Sequence, residues 1–197
     1  MSNIKPSYDI TIIGSGHNGL VAACYLAKAG LSVLVLERNA EIGGATRSTH
    51  VFDGVDAKLS VYSYLVSLFP EKIISDLSLN LQLRSRRTAS WTPSLENGKM
   101  RELLIHNGAS NGNREAFVEL TGDESDYRGF LELQEMQKSL AAVVWPSLTS
   151  PLVTREEMRG RLGREGERAW QALIEEPIGC VIERLISDDL IRGLVFT

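Results

Sequence analysis

The 197-residue chain is poor in cysteine, and its two cysteines, Cys24 and Cys180, lie far apart with no C-x-x-C. That excludes a disulfide scaffold and the paired-cysteine redox and zinc motifs. Residues 1–9 lack the apolar core of a secretory signal. Together these absences point to a reducing, cytoplasmic setting. Cys24 falls in an apolar helical pattern and reads as a core residue. The three histidines, His17, His50 and His106, are too scattered for metal-ligand spacing. There is no basic excess: the net charge is −4, which argues against a nucleic-acid partner. The cluster Arg84-Ser85-Arg86-Arg87 lacks interleaved aromatics and reads as a solvated strand end. No long uninterrupted apolar run exists. The most apolar stretch, 10–36, is broken by Gly14, Gly16, Asn18, Lys28 and Gly30, so no segment reads as a membrane span. No internal repeat is visible.

What is present is an ordinary globular balance, 43% hydrophobic and 23% charged, on a chain long enough for one core and part of a second. Its strongest local signal is Tyr8-Asp9-Ile10-Thr11-Ile12-Ile13-Gly14-Ser15-Gly16-His17-Asn18-Gly19. An apolar strand at 9–13 runs into glycines at G-x-G-x-x-G spacing, and a helical pattern follows over 18–29. Each glycine has its own physical task. Gly14 makes the tight turn, Gly16 lets a pyrophosphate approach the backbone, and Gly19 lets helix and strand pack closely. The helix N-terminus turns its unpaired N–H groups toward the phosphates. The helix is apolar nearly all round, which predicts burial. Gly30 terminates it, and a second strand at 32–37 ends in Glu37, 18 residues past Gly19. A carboxylate at that distance accepts hydrogen bonds from ribose hydroxyls and repels a 2′-phosphate.

A second glycine element follows: Arg38-Asn39-Ala40-Glu41-Ile42-Gly43-Gly44-Ala45-Thr46-Arg47-Ser48, then Phe52-Asp53-Gly54 and Leu59-Ser60. With the fingerprint and Glu37, it resembles the FAD-dependent amine oxidase and phytoene desaturase superfamily, and most nearly the phytoene dehydrogenase-like oxidoreductases. The likeness is specific through about residue 65 and general beyond it. It implies an α/β fold: a Rossmann-like FAD-binding βαβ unit with an incomplete sheet, followed by a largely helical part of a substrate domain. The implied domains are 1–110 and 111–197. FAD is the implied cofactor, with Gly14, Ser15, Gly16, His17, Asn18 and Gly19 around the pyrophosphate and Glu37 and Arg38 toward the ribose. Gly43, Gly44, Ala45 and Arg47 would line the pyrophosphate-to-flavin region. The implied chemistry is desaturation or oxidation of a lipophilic substrate, with peripheral membrane contact as a minority reading.

No acid–base pair can be assigned from sequence. His50, Asp53 and Asp56 are the candidates in the loop after Gly43-Gly44, and the default reading of each is a loop polar residue. Short helices are expected over 64–68 and 71–77, and a strand over 81–87. A hairpin is expected over 91–106, turning at Asn97-Gly98. A flexible boundary loop is expected at 107–113, then helices opened by capping boxes at Thr121-Gly122-Asp123-Glu124 and Thr154-Arg155-Glu156-Glu157. The charged, glycine-containing segment 155–168 reads as a solvated, hinge-like helix, and Pro177 breaks the pattern before two more short helices. The chain stops in the apolar run Leu194-Val195-Phe196, and members of the resembled family are more than twice as long. The expectation is therefore an N-terminal portion, with self-association or pairing with a missing C-terminal half at the open sheet edge. The alternative is a non-catalytic truncated fragment or interaction module that retains the dinucleotide-binding unit. A third reading, an NAD-dependent dehydrogenase, leaves the Gly43-Gly44…Arg47 element unused.

Overall fold

The computed structural model describes residues 5–63, 65, 66, 68–108 and 111–196. The chain divides into two compact units, Met1–Leu83 and Arg84–Thr197. The fold is mixed α/β with small sheets.

In the first unit, β1 (Ile10–Ile13) pairs in parallel with β2 (Val33–Leu36), and α1 (His17–Lys28) connects them. This is the βαβ unit read from the sequence. The register is unbroken, from Ile10 opposite Val33 to Ile13 opposite Leu36. The expected burial of α1 is not observed. No residue of the helix is fully buried, and Cys24 is exposed rather than in a core. Two strands offer α1 one face to cover, so its far side stays in solvent. The segment after β2 holds a structure the sequence did not announce. A 3₁₀ turn at Gly44–Thr46 leads into β3 (Ser48–His50), which pairs antiparallel with β4 (Lys58–Ser60). The helix expected over 64–68 falls partly outside the described residues, since 64 and 67 are not described, and Leu65 and Val66 have no regular structure. Helix α2 (Glu71–Asp76) forms near its expected place. Asp76 ties it to α1, accepting from the Tyr25 hydroxyl at 2.7 Å and pairing with Lys72 at 2.7 Å.

In the second unit, β5 (Thr88–Glu96) and β6 (Lys99–His106) form the hairpin, turning at Asn97 (φ 51°) and Gly98 (φ 75°). Two successive positive φ values are what a type I′ turn demands. The strand expected over 81–87 is absent. Pairing begins at Thr88 opposite His106, and the arginine-rich segment before it runs exposed, without a neighbouring strand. The expected flexible loop at 107–113 is also shorter than read, because α3 (Asn111–Thr121) has already begun. Asn113 explains this: its side chain accepts from the His106 N–H at 2.8 Å and donates to the His106 carbonyl at 2.9 Å. The hairpin thus packs with the helices, Leu103 and Ile105 being buried against Phe117, Phe130, Ile186 and Ile191.

The long helix α4 (Ser125–Val144) organises this unit. The expected cap at Thr121 is not formed. Thr121 ends α3, Gly122 (φ 90°) reverses the chain, and Asp123 accepts from the Ser125 N–H and hydroxyl instead. After a 3₁₀ turn at Trp145–Thr149 come α5 (Arg155–Gly160) and α6 (Arg164–Trp170), with a break between them in the expected hinge. The Thr154 and Glu157 capping box is formed as expected. A π-helical turn at Gln171–Glu175 leads to α7 (Ile178–Leu185) and α8 (Asp189–Phe196). A second cluster gathers Leu133 and Met136 of α4 with Ala169, Ala172, Val181 and Ile182.

Two residues one turn apart on α4 hold the α7–α8 corner. Asp126, 2% exposed, accepts from the Ser187 N–H at 2.7 Å and the Asp188 N–H at 2.9 Å. At Gly129, a Cβ would lie 1.9 Å from the Leu185 carbonyl oxygen. The two backbones can meet only because that side chain is missing. Gly129→Ala should therefore destabilise the second unit by about 1–3 kcal/mol, lowering the urea midpoint. An unchanged midpoint would show that α4 and α7 separate freely.

Candidate functional site: the glycine fingerprint and its adjoining cavity

The turn after β1 divides its glycines by task. Gly14 has φ 96°, a conformation that side chains rarely adopt. A Cβ on Gly19 would lie 2.4 Å from the Gly14 carbonyl oxygen, so α1 could not start so close to the strand with any other residue. Gly16 differs, because a Cβ there would meet nothing within 4 Å. The protein's own packing does not require a glycine at that position, and the space it leaves faces a potential ligand. Gly16 is also the N-cap of α1 and supplies no capping side chain. The first bond of the helix runs from the Leu20 N–H to the Gly16 carbonyl at 2.9 Å. The N–H groups of His17, Asn18 and Gly19 precede it and have no carbonyl one turn back. Backbone donors, a helix dipole and an absent side chain converge on one spot, which suits a pyrophosphate.

Glu37 closes the other side. Its Oε2 accepts from the Ser15 N–H and the Ser15 hydroxyl, each at 2.8 Å. Its Oε1 accepts from the Asn39 N–H and side-chain amide, each at 2.9 Å. Those donors favour the ionised form and hold the carboxyl down to about 2, the Asn39 and Ser15 N–H groups contributing most. Ser15 is buried. Sequence reading reached Glu37 by its spacing. It missed Asn39, whose role depends on a turn that no spacing rule encodes.

The second glycine element packs on the first. The Gly43 N–H donates to the Ser15 carbonyl at 2.9 Å, and Gly16 and Gly43 form an isolated parallel bridge. Gly43 (φ 112°) and Gly44 (φ 56°) are both left-handed, and a Cβ on Gly44 would lie 3.0 Å from the Gly16 Cα. The Gly-Gly pair therefore serves a close approach between two backbone segments. Ala45 is exposed in the 3₁₀ turn, and Arg38 is exposed beyond β2. Arg47 is half-exposed and makes only a loose pair with Glu41 at 3.9 Å, so its guanidinium can turn to an anion.

Beyond this junction opens a cavity of about 840 Å³. His17, Thr46, Ser48, Ser60, Ser63 and Asn80 supply its polar lining, and Leu65, Val66, Leu68, Phe69, Leu79 and Leu81 the apolar part. Ser48 and Ser60 face each other across the β3–β4 pair. His17, the first residue of α1, is thus part of both the fingerprint and the cavity lining. None of the catalytic candidates His50, Asp53 and Asp56 lines this cavity. Among the described residues no cluster of histidine, cysteine and acidic side chains could hold a metal, and no helix is long and apolar enough to cross a membrane.

Residues 12–72 match the family described as the NAD(P)-binding Rossmann-like domain, which fixes the class of the first unit. An uncharacterised protein of Mycobacterium tuberculosis is 42% identical over 201 residues, covering 100% of this chain and 37% of that protein. The mouse pyridine nucleotide-disulfide oxidoreductase domain-containing protein 2 is 36% identical over 166 residues, 81% of this chain and 28% of that one. A carotenoid 3,4-desaturase of Haloarcula japonica is 43% identical over 58 residues, 29% of this chain and 12% of that one. The first unit thus carries an NAD(P)-binding Rossmann-like domain, and the chain spans well under half the length of these relatives.

The Glu37 contacts carry a pH signature. The carboxyl is lowered in the folded chain, from an ordinary 4.5 to about 2. Its contribution to stability is complete above pH 4.5 and is lost as pH falls through about 2. The Ser15 amide resonance should shift within that window, and Glu37→Gln should remove the step. A midpoint at the ordinary carboxylate value would refute the four-donor arrangement.

Proposed function

We propose that this chain forms the adenine-dinucleotide part of an FAD-dependent oxidoreductase of the phytoene dehydrogenase-like type, acting on a lipophilic substrate. The observation that carries the proposal is the junction of the two glycine elements. A pyrophosphate cradle at Gly14, Gly16 and the α1 N-terminus abuts the Gly43-Gly44 strap, and the strap leads into a large cavity with an apolar wall. A simple nicotinamide-binding βαβ unit has no need of that strap. The ionised Glu37 beside the cradle repels a 2′-phosphate and favours a free ribose diol.

The residues present fit FAD. Gly14, Ser15, Gly16, His17, Asn18 and Gly19 would surround the pyrophosphate. Glu37 and Arg38 would stand toward the ribose, and Gly43, Gly44, Ala45 and Arg47 would lie along the path to the flavin. When bound, FAD supplies the hydride-accepting chemistry. The chain's own residues bind and orient it. Backbone N–H groups would meet the pyrophosphate, Arg47 would add a cation, and Leu65, Val66, Phe69 and Leu79 give the cavity its apolar wall. A lipophilic substrate is supported by that apolar wall and by the desaturase relative named above.

Visible absorption of the full chain after incubation with FAD and desalting tests the reading. Retained flavin is expected. Gly16→Val, which fills the open space before the helix, should abolish it, and Glu37→Ala should weaken retention by at least tenfold. A wild-type chain that keeps no flavin would favour the interaction-module alternative. Retention of a nicotinamide dinucleotide instead would favour the dehydrogenase.

A further inference from the structure

We infer that Asn39 sets nucleotide affinity: its side-chain amide occupies the position on Glu37 that a ribose hydroxyl takes, while Ser15 holds the other carboxylate oxygen in place. The inference rests on the nucleotide-site reading above and adds a residue that the fingerprint does not contain.

A carboxylate has about four acceptor positions. In Glu37 all four are filled, two by Ser15 on Oε2 and two by Asn39 on Oε1. A ribose diol brings O–H donors and gains a bond to this carboxylate only by displacing a donor already there. The two backbone N–H groups are fixed by the turns that carry them, so the exchangeable donors are the Ser15 hydroxyl and the Asn39 amide. These two differ in one decisive respect. Ser15 is 1% exposed, and its hydroxyl, if displaced, would be left buried without water. Asn39 is exposed, and its amide can swing into solvent and keep its hydrogen bonding there. The ribose therefore exchanges with Asn39 at Oε1. Ser15 acts as a positioning residue, keeping Oε2 engaged so that Oε1 faces outward. Because each nucleotide-binding event must displace the amide, Asn39 lowers affinity in proportion to the strength of the bond it makes.

Calorimetric titration of the full chain with ADP and with 2′,3′-dideoxyadenosine diphosphate tests this. Asn39→Ala removes the competitor and should tighten ADP binding roughly threefold to tenfold, with no change for the dideoxy ligand. Ser15→Ala frees the carboxylate to turn and should weaken ADP selectively, a change of opposite sign. Thermal melts followed by circular dichroism check that each variant is folded. If Asn39→Ala leaves ADP affinity unchanged, weakens it, or alters both ligands equally, the inference is overturned and Asn39 is a turn residue only. If no variant, nor the wild type, binds ADP, the nucleotide reading of the site falls as well.

Discussion

The carboxylate of Glu37 is the contact on which the first unit depends. It sits at the end of β2 and grips the turn that leaves β1, through the backbone and hydroxyl of Ser15. That grip holds the Ser15 carbonyl where the Gly43 N–H can reach it, and the reach brings Gly44 against the Gly16 Cα. Once the strap is docked, Thr46 and Ser48 fall on the same side as His17 and become walls of one cavity. A chain of short contacts thus converts a single acid at a strand end into the location of the whole site. The acid stays charged because all of its contacts are donors, and two of them are rigid backbone N–H groups.

The second unit uses an acid in a related way. Asp126 lies buried on α4 and accepts from two successive backbone N–H groups at the α7–α8 corner. Asp188, at that corner, caps α8 through the Leu190 N–H and pairs with Arg101 of the hairpin at 2.5 Å. Gly129, one turn along α4, removes the side chain that would keep α7 away. Helix packing and polar satisfaction therefore act at the same place, and the hydrophobic clusters form on either side of it. A buried carboxylate that accepts from backbone is stable there because it leaves none of those donors unsatisfied.

The elements legible in the sequence were those specified by local chemistry. Gly14, Gly16 and Gly19 marked the strand-to-helix turn, Asn97-Gly98 marked the hairpin, and Thr154 with Glu157 marked a helix start. Each depends on residues within five positions of one another. The errors arose where distant partners decide. The segment at 81–87 has strand-like composition but no neighbouring strand to pair with. Thr121 matched a capping pattern, yet Asp123 captured the cap because Gly122 had already turned the chain. Cys24 sits in an apolar helix, but a two-stranded sheet cannot cover it.

The sequence by itself determined the βαβ unit, the open space at Gly16 and the acid at its edge, because backbone conformation and side-chain absence are local properties. Only the tertiary structure decided that Gly43-Gly44 docks on the fingerprint, that Asn39 fills the second face of Glu37, and that two serines on short strands line a cavity with His17. The strap and the cavity require segments 12 to 43 residues apart to meet at ångström distances, and the Asn39 contact requires a particular turn just past Glu37. No spacing rule carries that information, since it resides in where the turns between them point.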